Sequence, residues 1–99
     1  MRLTDHQKNT ILNASQCYFN DAKCWLFGSR VDDQKRGGDI DLYIETTETD
    51  INKIVTAKLA FLVALNRELG EQKIDVVIHR MDSEFLPIHY IAKQTGIRL

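Results

Sequence analysis

The sequence predicts a small α/β domain, a mixed and largely three-stranded sheet covered by helices, in the order α, β, short α, β, α, β, α. Two stretches with apolar residues at helical spacing, three short apolar or alternating runs between them, and glycines where the pattern changes carry that reading. Thr4 or Asp5 caps the first helix, which gathers Ile11, Leu12, Ser15, Tyr18, Phe19 and Ala22 on one broad face. Cys24-Trp25-Leu26-Phe27 is a buried strand, and Gly28-Ser29 turns the chain at its end. Arg30 to Gly38 is polar, holds a double glycine, and reads as a short helical turn followed by a loop. From Asp39 to Ile44 the residues alternate, with Ile40, Leu42 and Ile44 on an apolar side and Asp39, Asp41 and Tyr43 on a polar one. Asp50 caps a second helix that turns Ile51, Ile54, Val55, Leu62, Leu65 and Leu69 to the core, and Gly70 ends it. Ile74 to Ile78 is the third strand, interrupted by Asp75. Ser83 with Leu86 to Lys93 predicts a last short helix closed by Gly96, after which Ile97-Arg98-Leu99 can add a final strand.

With 99 residues, positions 1–99 form one domain. Thirteen Lys and Arg against fourteen Asp and Glu exclude a strong, sequence-blind grip on nucleic acid, which needs a clustered basic excess. No apolar run reaches the ~20 residues of a membrane span, so no membrane partner is expected. MRLTDHQKN offers no apolar stretch after its arginine, so no signal peptide is expected and the chain reads as cytoplasmic. Cys17 and Cys24 fit no zinc or redox spacing and read as reduced thiols packed as small hydrophobes. His6, His79 and His89 are scattered, without the spacing of a zinc site.

Three features fall at strand ends or on strand faces: Gly28-Ser29, the pair Asp39 and Asp41, and Asp75. Second neighbours on a strand point the same way, so Asp39 and Asp41 set two carboxylates side by side. Oxygen ligands so placed suit hard cations, Mg2+ first, about 4 Å apart in two-metal phosphoryl-transfer sites. Asp75 breaks a segment otherwise fit for burial, where an unpaired carboxylate costs several kcal/mol. It is therefore a candidate to complete a metal shell or to help deprotonate an attacking hydroxyl. A glycine at a strand-to-helix bend lets the backbone approach a phosphate closely. Arg30, Lys35 and Arg36 add cationic side chains to the same loop, and Asp32-Asp33 reads as loop solvation.

Together, FGSRVDDQKRGGDIDLYIE and the later Asp75 resemble the nucleotidyltransferase superfamily that includes the palm domain of DNA polymerase β, and within it the minimal nucleotidyltransferases, or MNT proteins. The resemblance spans essentially the whole chain, including the closing Gly96-Ile97-Arg98-Leu99. It implies a polymerase β palm-like fold with Gly28, Ser29 and Arg30 as the nucleotide-binding, phosphate-gripping turn. Asp39, Asp41 and Asp75 match the catalytic, metal-binding carboxylates. The implied reaction moves a nucleoside monophosphate, AMP in the first instance, from ATP or another NTP to a hydroxyl, with two Mg2+ ions. Gly37-Gly38 departs from the serine many relatives carry before the first aspartate, and the chain lacks the helical domain larger relatives use to hold the acceptor. Small proteins of this group commonly pair with a helical HEPN protein as the antitoxin of a toxin–antitoxin module, and some adenylylate a tyrosine of that partner. An apolar patch would then dock HEPN or a second copy of the chain in a homodimer. The alternative is a non-catalytic antitoxin that neutralises a helical partner by stoichiometric cover. An aspartyl-phosphate phosphatase is disfavoured, because its nucleophile should follow an apolar strand whereas Asp39 opens one.

Overall fold

A computed structural model describes residues 3–31, 38–70 and 72–99. Lys35, Arg36, Gly37 and the Asp32-Asp33 pair lie outside the described residues, as does the side chain of Ser29. Helix α1 (Asp5–Tyr18) starts at Thr4, whose hydroxyl accepts from the Gln7 amide at 3.0 Å while the Gln7 side chain accepts from the Thr4 amide at 2.9 Å. This reciprocal box satisfies two amides that the first helical turn leaves without partners. Strand β1 (Lys23–Phe27) leads into a 3-10 turn (Gly28–Val31), the short helical turn expected from sequence. Strand β2 (Ile40–Thr46) follows, so Asp39 stands just before the strand it was expected to open. Asp50 accepts from the amides of Asn52 and Lys53 to start α2 (Ile51–Leu69), and Gly70 ends it at φ 79°. Then come β3 (Ile74–Arg80), α3 (Pro87–Thr95) and β4 (Ile97–Arg98).

The sheet has four strands in the order β3-β2-β1-β4 where the sequence predicted largely three, because Ile97 and Arg98 pair with Leu26 and Trp25. Strand β1 runs antiparallel to β2 and β4, and β2 runs parallel to β3. A parallel neighbour requires a crossover, which α2 supplies.

Ile40, Leu42 and Ile44 face α1 and α2 and form the main core with Leu26, Ile11, Phe61 and Leu65, each fully buried. Phe61 meets Phe19 edge to face at 5.5 Å. Ile51 and Val55, expected in this core, point to solvent with 55% and 52% exposure. Helix α2 is apolar on both sides, so helical spacing alone could not say which side turns inward. Tyr18 is also exposed: α1 stops there, and the extended backbone of Phe19 swings the next ring inward instead.

The opposite sheet face was expected to be polar, yet Tyr43 is fully buried. Helix α3 covers it, packing Ala92 against Trp25 and Tyr43. Under that cover Glu45, only 3% exposed, accepts from Lys93 at 2.9 Å and from the Tyr43 hydroxyl at 2.8 Å. The Tyr43 oxygen also meets His79 Nδ1 at 3.0 Å, and the His79 ring stacks on His89 at 4.2 Å. His89 Nδ1 accepts from the Leu86 amide at 3.0 Å, so His89 helps start α3. Ser83, expected near that start, instead donates its hydroxyl to the Arg80 carbonyl.

These contacts set the titration of the corner. Burial alone would push the Glu45 carboxyl up; the hydrogen bonds from Lys93 and Tyr43, with the charges of Lys93 and His79, hold it below its usual range. Burial, then the charge of His79, lowers His89, which must stay neutral to accept from Leu86. A histidine depressed in the fold takes up its proton first in the unfolded chain, so stability declines as pH falls below about 6.5. The contribution of Glu45, complete above the unfolded carboxylate value of about 4.3, is lost as pH falls through its lower folded value. Replacing Glu45 by Ala should cost about 2–3 kcal/mol at neutral pH, since it strips a buried acceptor from Lys93 and Tyr43. Circular dichroism melts check both expectations, and a Glu45→Ala melting point equal to wild type would contradict the role given to this network.

Candidate functional site

Beyond the reach of α3, the same sheet face carries acids. Asp41 and Asp75 are register partners on the parallel strands β2 and β3, so their side chains leave one rung in the same direction. Their carboxyls lie close enough for the charge of Asp75 to raise Asp41. Asp39 stands before that rung and is held by the Lys73 ammonium at 3.4 Å. The Ile40 amide donates to the Lys73 carbonyl at 3.1 Å, fixing that junction.

On the other side of Asp41 lies β1. Phe27 pairs with Asp41, and the chain then bends at Gly28 with φ 77°. A Cβ on Gly28 would fall 2.3 Å from Asp41 Oδ2. Only glycine allows that turn to press against the carboxylate. Arg30 Nε donates to the Gly38 carbonyl at 3.4 Å, so the arginine expected to grip phosphate also ties together the two ends of the loop after the bend. The backbone of Ser29 belongs to the 3-10 turn.

The five anchoring positions read from sequence, Gly28, Ser29, Asp39, Asp41 and Asp75, thus meet at one end of the sheet, with Arg30 at the loop base. One premise needs correction. Asp75 is exposed rather than buried, because it enters an edge strand past the cover of α3. Its significance rests on its meeting with Asp41 and not on a burial penalty. Lys73 is a site residue that the sequence reading missed. The alternation Lys73-x-Asp75 was the available signal, since it puts the lysine on the same strand face as the acid.

Burial, followed by the charges of Asp75 and Asp39, holds the Asp41 carboxyl above its ordinary range, with Lys73 opposing. Lys73 is raised by its hydrogen bond to Asp39 and by the three acids. Among the described residues no group of three or more His, Cys, Asp or Glu forms a ready-made metal cage. The donors at this corner are carboxylate oxygens, which fit a hard divalent cation such as Mg2+, and a cation there would relieve the repulsion that lifts Asp41.

Other reactive groups lie elsewhere. Burial pushes the Cys24 thiol up to about 12, which leaves it unreactive at neutral pH. Cys17, expected to pack as a small hydrophobe, is exposed. It borders a groove of about 480 Å³ between α1 and α2, which also touches His6 and Glu68, on the side of the sheet away from Asp41. Among the described residues no helix is long and apolar enough to cross a membrane. Compared with known proteins, the chain matches no family model and no curated sequence.

Proposed function

We propose that the protein is a Mg2+-dependent nucleotidyltransferase with a polymerase β palm-like fold, which moves a nucleoside monophosphate from an NTP, ATP in the first instance, to a hydroxyl. The observation that carries this reading is the Asp41–Asp75 rung pressed against the Gly28 bend, with Asp39 one step before it. In the reaction the acceptor oxygen bonds to the α-phosphorus, the bond from that phosphorus to the bridging oxygen breaks, and pyrophosphate leaves.

Asp39, Asp41 and Asp75 hold the divalent ions in this reading. Bound Mg2+ supplies Lewis acidity at the phosphoryl and acceptor oxygens. Asp75, open to solvent on the edge strand, is reached by the acceptor hydroxyl and helps take up its proton. The Gly28 bend seats the backbone directly against Asp41, while Ser29 and Arg30 hold the outer phosphates of the triphosphate. Lys73 balances the acid charge and, through its ion pair, holds Asp39 where it would serve as a ligand.

The acceptor hydroxyl belongs to a separate helical protein of the HEPN type, and the chain acts as the antitoxin of that pair in the cytoplasm. Leu86, Tyr90 and Ile91, at 50%, 54% and 52% exposure on and beside α3, support docking on the covered face near the site. Incubation with Mg2+ and each NTP, with and without the protein encoded next door, followed by intact mass, tests the reading. The neighbour should gain whole nucleotidyl groups. Asp39→Ala should lower that transfer by about a thousandfold or more while the circular dichroism stays native, and Arg30→Ala should cost less. Turnover at the wild-type rate by the folded Asp39→Ala protein would refute the assignment. An Asp39/Asp41 double variant that still neutralises the partner in full would favour stoichiometric cover instead.

A further inference from the structure

Helix α3 is a separate and lightly held cover. The main core lies on the other sheet face, whereas α3 rests on a second, small cluster of Trp25, Tyr43 and Ala92. It buries only His89 and Ala92. Nine residues are too few to stay helical away from the sheet, so α3 docks or leaves as one unit. Leu86, at its start, has no capping side chain, and the Leu86 amide is satisfied instead by His89 Nδ1 at 3.0 Å. The His89 ring is 6% exposed and stacks 4.2 Å from the ring of His79. We infer that α3 is a proton-operated cover: a proton taken up by His89 undocks α3 while α1, α2 and the main core stay folded.

One proton has two effects here. On Nδ1 it turns an acceptor into a donor, so the Leu86 N–H meets another N–H and the helix loses its cap. It also sets a positive ring against His79 inside a buried stack. The charged and titratable groups facing His89 come from each element around it. Tyr43 and Glu45 stand on β2, His79 on β3 and Lys93 on α3 itself, while Arg80 and Glu84 share a cleft with it that α2 lines with Ile51 and Ile54. Burial and the charge of His79 oppose the proton and outweigh the attraction of Glu45. Docked α3 therefore binds that proton more weakly than released α3 does. The released fraction is lowest above the ordinary histidine value of about 6.5. It grows up to tenfold for each pH unit below that, until the docked ring is itself charged. Glu45 is held below its usual range, so its bond to Lys93 does not titrate in the same window. The cover works whether or not the acids beside Gly28 bind metal.

Trp25, the single tryptophan, reports on the cover. It is 8% exposed, with the Lys93 ammonium and the Arg98 guanidinium each 5.0 Å from its ring centre. Acrylamide quenching of the full chain from about pH 7.5 to 5, with histidine ring protons followed by NMR, tests the inference. Quenching should rise severalfold in step with the His89 resonance and reverse on return to neutral pH. The amides of Phe61 and Leu65 should stay protected from exchange throughout. His89→Gln should abolish the step, because a glutamine three residues after the cap accepts from the Leu86 amide without titrating. Shielding of Trp25 that persists while His89 titrates overturns the inference, as does a step that survives in His89→Gln. Loss of protection at Phe61 and Leu65 in the same step also overturns it, since the whole chain then unfolds. Should the glutamine variant not fold, the wild-type midpoints decide: a Trp25 step displaced from that of His89 by about a pH unit or more contradicts the switch.

Discussion

Asp41→Asn is expected to make the protein more stable and to remove nucleotidyl transfer. Asp41 is partly desolvated and stands beside the charges of Asp75 and Asp39, so its folded carboxyl titrates above the unfolded one. A carboxyl raised in this way favours the fold in its protonated form. The penalty is absent below the unfolded value of about 3.9 and complete once pH exceeds the folded one. Asparagine keeps the shape and drops the charge, so the variant should gain about 1 kcal/mol at pH 7, a rise of some 4–8 °C in melting temperature. The gain should vanish toward pH 3.5, where wild-type Asp41 is itself protonated. Transfer should fall by about a thousandfold or more, because an amide is a poor ligand for a hard cation. Thermal melts at the two pH values, beside an intact-mass assay, check both halves. A variant that is both destabilised and active would remove Asp41 from the site.

Gly28→Val should instead lose stability and function together. The φ of 77° is strained for a β-branched residue, and the new side chain begins 2.3 Å from Asp41 Oδ2, inside any real contact. A cost of about 3 kcal/mol or more is expected from strain and overpacking together. Gly28→Ala meets the same oxygen with a smaller group and should lie between. It should stay folded while Asp41 is displaced and activity drops at least tenfold. Denaturant melts with the transfer assay on both variants measure the order, and an alanine variant with wild-type activity would show that the bend does not position Asp41.

How far these features were legible depended on whether one local rule decided them. The start of α1, the start and end of α2 and the three main strands follow from spacing and end residues, and they emerged within a residue or two. Strand β4 is two residues long, too short to show a period, and exists because β1 offers Leu26 and Trp25 as partners. The buried place of Tyr43 and Glu45 was invisible for a related reason. Polar atoms on that strand face are tolerated only because His79 and Lys93, distant in sequence, come to meet them. Ile51 and Val55 were misplaced because α2 satisfies helical amphipathicity in two directions. At the site, a strand face and a parallel register bring Asp41 and Asp75 onto one rung, with Asp39 one residue before β2. Spacing could not foresee that Asp75 is open to solvent, because that depends on β3 lying at the sheet edge, whereas Lys73 beside Asp39 was open to the Lys73-x-Asp75 alternation and was missed.

The central claim is that Asp41 and Asp75, with Asp39, share a divalent ion beside the Gly28 bend. Addition of Mn2+ to the isotopically labelled protein, read by paramagnetic broadening of amide resonances, tests it most directly. Broadening should appear first at Gly28, Asp41 and Asp75, be competed away by Mg2+, and disappear in Asp41→Asn. Broadening centred on other acids, or unchanged in that variant, would contradict the account.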